Sequence, residues 1–483
     1  MTKPIIISCR TAAYRNLGNF RRFSDIFIAD FDDGQIDAVL SKIGFARKQI
    51  GSRKQQKSAG QFFKNQQTKA AKELAKNAPI THIFYVLAYD RSQTLPSNRS
   101  VLYRKALRIL LEEWAAEKRI ERVLIYEGLH TELEEELLAE ISHRGFQNNK
   151  LFFNQQEIVK QIKAFLTGNL NAPQHLDGEA VLKAISVQQG ILVERAEAVY
   201  SFSHLTLQEY LTAKYIVDNN AVPDLVNQYI TEDRWKEVFL LVAGLMPGKA
   251  GADPLLLAME AKALDYLKTP LPQQRFIPLL QWAEDVTTGS TGDLSPVAKR
   301  SVAIAIVIAI ANAYAYADVY NIANTIVNAI ANADVYSIAN TIAYAIANAT
   351  ADIYTYANAY VNIIDCLIRA AKEIQDFPEV FRDTNWAGLI AQLETLKTQI
   401  PNRNQLEQVY REFAERIIKV WLNAFYLTRE MVEFAQEELA EIDRQYFYIY
   451  WLMLECKKAA VKVSPETWAA IEDRMFRVPA SQT

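Results

Sequence analysis

Leu102, Ala106, Leu110 and Trp114 recur every fourth residue and predict an amphipathic helix from Asn98 to Glu117. The same periodicity predicts helices over residues 131–143, 157–166 and 180–188. The first of these opens on a capping-box pair, Thr131 and Glu134. Between 190 and 202 the pattern changes. Gly190-Ile191-Leu192-Val193-Glu194-Arg195 and Glu197-Ala198-Val199-Tyr200-Ser201-Phe202 predict two short strands around a turn. Helices followed by a small hairpin are what a winged helix needs. Thr206 and Glu209 form a second capping-box pair. They predict a helix from Leu207 that buries Leu207, Tyr210, Leu211, Ala213 and Val217. A further helix runs from Asp233 to Leu245, with Trp235, Val238, Phe239 and Val242 on one face. Pro247 to Pro254 reads as a loop, and residues 270–293 hold another helix before a Gly-Ser-Thr boundary.

The two ends read differently. Ile5-Ile6-Ile7 and Asp25-Ile26-Phe27-Ile28-Ala29 are strand-like, and Asp32 with Gln35 suits a helix cap, so the chain opens in the middle of an α/β sheet. Residues 47–72 are polar and basic and read as a solvated face. Residues 301–360 hold a 16-residue repeat: Asp318-Val319-Tyr320-Asn321-Ile322 returns as Asp334-Val335-Tyr336-Ser337-Ile338. Ile304, Ile306, Ile308 and Ile310 alternate like a strand, whereas Val319, Ile322, Ile326 and Ile330 step like a helix. Abundant alanine, with neither Gly nor Pro between Val297 and Phe377, favours helix. Residues 402–476 are amphipathic helices whose Tyr, Trp and Phe read as core. The expected fold is mainly α, with a remnant of an α/β core at the N-terminus. A helical domain, a winged helix and helical C-terminal domains follow.

Composition narrows the function classes. A chain of 483 residues with a formal charge of −3 carries no whole-protein field for nucleic acid or membrane. Cys9, Cys366 and Cys456 lack paired spacing, which predicts reduced thiols and no structural zinc. No apolar run approaches the length of a membrane span or signal peptide, so a soluble cytoplasmic protein is expected. His130, His143 and His175 lack metal-ligand spacing, and Glu132 to Glu136 read as a solvated helix face.

One motif carries more. His204 stands just before the predicted start of the helix after the hairpin, where backbone N–H groups and the helix dipole favour an anion. From spacing alone, a histidine satisfying a local carbonyl is the more ordinary outcome. The run Phe202-Ser203-His204-Leu205-Thr206-Leu207-Gln208-Glu209-Tyr210 resembles the FxHxxFQEY motif of NACHT proteins, signalling NTPases of the STAND class, with Leu207 in place of Phe. In that family the histidine contacts the β-phosphate of ADP, which implies the same for His204. Ile5 to Tyr14 is similar to the family's sensor strand, whose γ-phosphate arginine corresponds to Arg10. Leu95 to Trp114 and Asp233 to Leu241 resemble the family's helical domains. The resemblance covers roughly residues 1–290. It implies core remnant 1–50, first helical domain 51–119, winged helix 120–218, second helical domain 219–292 and helical C-terminal domain 293–483, with the repeat at 318–349.

The sequence departs from the family pattern at the phosphates. No G-x-x-x-x-G-K-[ST] loop occurs. Gly244-Leu245-Met246-Pro247-Gly248-Lys249-Ala250 is one residue short and reads as a loop, and no acidic magnesium strand is seen. Both elements are expected upstream of Met1. At Asn77-Ala78-Pro79 the family's adenine-packing proline, matched to Pro79, is displaced by one residue, as after a compensated frame slip. The resemblance therefore implies a fragment of an ATP/ADP-dependent signalling or defence switch, with Arg10, Pro79 and His204 as nucleotide contacts. It implies no magnesium site and no autonomous ATP hydrolysis. Its expected partners are another copy or a polypeptide carrying the P-loop. The alternative is a nucleotide-independent helical scaffold or interaction module. A DNA-reading winged helix ranks below both, because Gln208, Glu209 and Lys214 offer little basic surface.

Overall fold

The computed structural model describes residues 98–112, 126, 128–173, 175–290, 294–315, 357–376, 380–381, 383–402 and 405–479. The strands expected at 5–7 and 25–29, Arg10, Pro79 and the repeat at 318–349 lie outside them. The described chain is mainly helical, with one three-stranded sheet. Two compact units divide it. One comprises Met1–Leu225, Arg234–Ala252 and Ala459–Lys462, and the other Val226–Asp233, Asp253–Lys458 and Val463–Thr483.

The first unit begins with α1 (Arg99–Glu112) and α2 (Thr131–Gln147). Strand β1 (Phe153–Asn154) leads directly into α3 (Gln155–Leu170), whose first turn is capped by Asn154 Oδ1 accepting from Gln156 N at 2.9 Å. Asp177 caps α4 (Gly178–Gln189) by accepting from Glu179 and Ala180 N–H groups, and Gly190, at φ 62°, ends it. β2 (Leu192–Ala196) and β3 (Val199–Phe202) form the expected hairpin, and α5 (Leu205–Asp218) follows. The sheet order is β1-β3-β2, all antiparallel. α5 packs along α2 and against α7 (Lys236–Leu245), which comes after α6 (Val222–Tyr229) and a 3₁₀ turn, Asp233–Trp235.

Both predicted capping boxes are corrected. α2 is N-capped by His130 and α5 by His204, neither through its side chain, so Thr131 and Thr206 already lie inside the helices. The glutamates have tertiary surroundings instead: Glu134 is buried, and Glu209 sits half-buried beside α1 and α7.

In the second unit α8 (Asp253–Tyr266) precedes a π-helical turn, Pro272–Phe276, which runs into α9 (Ile277–Thr287). α10 (Pro296–Ala315) is a helix throughout, so the alternation of Ile304 to Ile310 reflects burial on all sides and not a strand. Then come α11 (Ala357–Asp376), α12 (Trp386–Thr398), α13 (Glu407–Ala424), α14 (Arg429–Val432) and α15 (Gln436–Ile442). A second π-helical turn, Asp443–Phe447, leads into α16 (Tyr448–Ala459), and α17 (Pro465–Arg474) closes the described chain.

The aromatic residues of this region are largely core, as expected. Phe276 meets Tyr446 and Phe447 edge-on at 5.0 and 5.6 Å, and Tyr450 packs on both Tyr446 and Phe476. Buried ionic groups hold the helix ends. Asp253 accepts from Ser464 N and Thr467 Oγ1, each at 2.9 Å, and so caps α17 from α8. At the other end of α17, the buried Arg300 donates to the carbonyls of Glu472, Asp473 and Met475. Arg474 pairs with buried Glu260 through two hydrogen bonds of 2.9 and 2.6 Å. Among the described residues, no helix is long and apolar enough to cross a membrane.

Candidate functional site: the corner between hairpin and helix

The chain turns from β3 into α5 at Ser203 and His204, and the hairpin determines how. β2 pairs with β3 as Glu194↔Tyr200 and Ala196↔Val199, so Arg195 is an extra, bulged residue. A bulge re-aims its side chain. Arg195 folds over the corner and donates to Ser201 Oγ at 2.8 Å, Phe202 O at 3.3 Å and Ser203 O at 2.9 Å. Ser203 N adds a bond of 2.7 Å to Ile191 O. The corner is thereby held from the two ends of β2.

His204 occupies the N-cap position of α5 with extended backbone angles, φ −143° and ψ 141°. Its carbonyl accepts from Leu207 N at 3.2 Å and Gln208 N at 3.4 Å. The ring is partly exposed, and Nδ1 lies 3.4 Å from Thr206 Oγ1. An imidazole on a fixed corner at the positive end of a helix dipole can donate to an anion.

Several other motif residues serve the interior, whereas Leu205 is exposed. Phe202 packs edge-on against Phe153 of β1 at 5.9 Å, and Leu207, Tyr210 and Leu211 are buried. Gln208 is buried and donates to Lys150 O at 3.0 Å, while its own carbonyl accepts from Ser142 Oγ of α2 at 2.5 Å. Lys214 is engaged with Asp218 at 2.5 Å.

Glu209 turns toward α1 and α7. There Arg99 of α1 clamps Glu237 of α7 with two bonds of 2.7 and 2.6 Å. Burial pushes the Glu209 carboxyl up to about 8; the Glu237 carboxylate adds to the shift and Arg99 opposes it. His143 is different again: it stacks on Tyr215 at 4.2 Å, and burial, with some help from Arg144, lowers its pKa to about 4.

The string around Gly244 is helix followed by loop. Gly244 lies within α7, where a Cβ would meet Ser100 Oγ at 2.2 Å, and only Gly248, at φ 82°, lies in the turn. No backbone cradle for phosphate forms there. Among the described residues, no group of His, Cys, Asp and Glu is arranged to hold a metal ion. Of the three sequence-predicted contacts, only His204 lies among the described residues. Arg195, which holds the corner, was not legible from spacing because its reach depends on the bulge.

Two family models match the chain. The winged helix-turn-helix domain C-terminal to NACHT matches residues 99–216, from α1 through the hairpin into α5. NACHT C-terminal helical domain 2 matches residues 389–478, from α12 to just past α17. No curated protein matches the chain.

Proposed function

Because the chain belongs to the NACHT family through its winged-helix and C-terminal helical domains, we propose that it is the responding arm of a nucleotide-dependent signalling or defence switch. The winged helix presents His204 to the β-phosphate of ADP. One observation carries this reading: His204 is partly exposed on a corner that Arg195 holds, while Phe202, Leu207, Gln208 and Tyr210 of the motif are buried. Arg10 and Pro79 are the further nucleotide contacts in this proposal. The phosphate cradle and the magnesium ligands come from a P-loop, for which this sequence has no signature. They are supplied by a P-loop core that works together with these domains.

Titration of the full chain with a fluorescent ADP analogue, alone and with a P-loop NACHT core added in trans, tests the proposal. Binding is expected with the core present. H204A should weaken it by roughly 10- to 100-fold, the worth of a hydrogen bond to a charged group. If H204A binds as tightly as the parent, His204 is not a phosphate contact. If millimolar nucleotide never binds, a nucleotide-independent helical scaffold is the reading that stands.

A further inference from the structure

Within the second unit, α9, the segment just before α12 and the turn just after α13 line an open cleft of about 500 Å³, a size suited to a small ligand or a single side chain. Trp282, Phe381, Phe425 and Tyr426 supply aromatic walls, and Asp285 and Asp383 supply carboxylates. No lysine, arginine or histidine is among the described residues that line it. The walls are fixed. Trp282 Nε1 donates to Phe425 O at 2.8 Å, and Phe381 meets Phe425 edge-on at 5.0 Å. Gln281 donates to one oxygen of Asp285 at 3.0 Å.

Tyr426 is the exception to the rule that this region's aromatics are core: it is 66% exposed. It also stands in the left-handed region, at φ 57°. The reason is local. α13 ends in a Schellman turn, with Tyr426 N bonded to Asn423 O and Leu427 N to Leu422 O. Glycine is the residue that such a position favours. The Tyr426 hydroxyl reaches Asp383 O at 3.4 Å, a long contact that sets the ring across the mouth of the cleft. A large, mostly exposed ring kept there at a backbone cost points to a use beyond the core.

We propose that this cleft binds an organic cation, a guanidinium or ammonium group on an apolar stem. The stem would lie between the aromatic walls, and the charge would face ring surfaces and the two carboxylates. The inference is independent of any nucleotide reading of the winged helix.

Calorimetric titration of the full chain with butylguanidinium and with its neutral isostere butylurea tests it. Butylguanidinium should bind at least tenfold more tightly than butylurea, and the D285N/D383N double variant should abolish that preference. Y426G separates binding from folding. It should weaken the guanidinium by severalfold while leaving the melting temperature unchanged or higher, because glycine relieves the left-handed backbone. Nα-acetylarginine amide identifies the source. Binding at least as tight as butylguanidinium supports an arginine carried on a polypeptide, and weaker binding supports a free small cation. Equal binding of the urea and the guanidinium, or an unchanged preference in both variants, would overturn the proposal.

Discussion

Single side chains in the first unit sit where there is no room for alternatives. A Cβ on Gly145 of α2 would lie 2.3 Å from Phe153 Cζ, so the β1 ring rests directly on the helix backbone. Alanine is the better helix former, yet here it must push the ring aside. Gly145→Ala is expected to cost about 1–3 kcal/mol, as overpacking does, seen as a lower melting temperature and a lower urea midpoint. A neutral or stabilising result would mean that the ring has room to move. This contact also shows what sequence reading cannot reach. The motif Phe202 to Tyr210 pointed to a winged helix through its resemblance to the NACHT motif. β1 is two residues long and acquires its partners, Val199 and Tyr200, from more than forty positions away, so no local period betrays it. Arg195 was invisible for the same reason, since only the bulge decides where it reaches.

Between elements, the sequence gets helix identity right and the fate of polar residues wrong. Thr206 and Glu209 have the capping-box spacing, but the helix starts earlier, and Glu209 lies where α1, α5 and α7 meet. Its carboxyl is raised from the ordinary 4.5 to about 8. Within that window the folded chain keeps a proton that the unfolded chain has released, so this group's contribution to stability falls as pH rises from 4.5 to 8. Above 8 both states are ionised and the folded state bears the whole penalty. Glu209→Gln should therefore flatten the decline in melting temperature across these pH values and exceed the parent at the alkaline end. Parallel curves for the two proteins would show that Glu209 ionises normally.

α8 and α17 make a related point. Asp253 follows a Pro- and Gly-rich stretch that reads as loop, and nothing local shows that it caps a helix more than two hundred residues later. At the opposite end Arg300 satisfies three carbonyls. Arg300→Met keeps the length and removes the donors. It should destabilise the second unit by about 1–3 kcal/mol, the cost of leaving buried acceptors unpaired, measured by hydrogen exchange in α17. Unchanged protection there would refute the cap.

For the molecule as a whole, the proposed switch makes an enzymatic prediction. The purified chain is expected to hydrolyse no ATP, because the sequence has no P-loop lysine and no magnesium ligands of that class. Phosphate release above background, abolished by H204A, would contradict that expectation. The division into two units has a consequence of another kind. Neither unit is one continuous stretch of chain: the first is completed only by Ala459–Lys462, where Ala252 N bonds to Lys462 O at 3.0 Å. The winged-helix unit therefore cannot be completed until residues 459–462 have been made. Loss of residues 459–462 would thus be felt in the winged-helix unit, more than two hundred positions back along the chain from the missing segment.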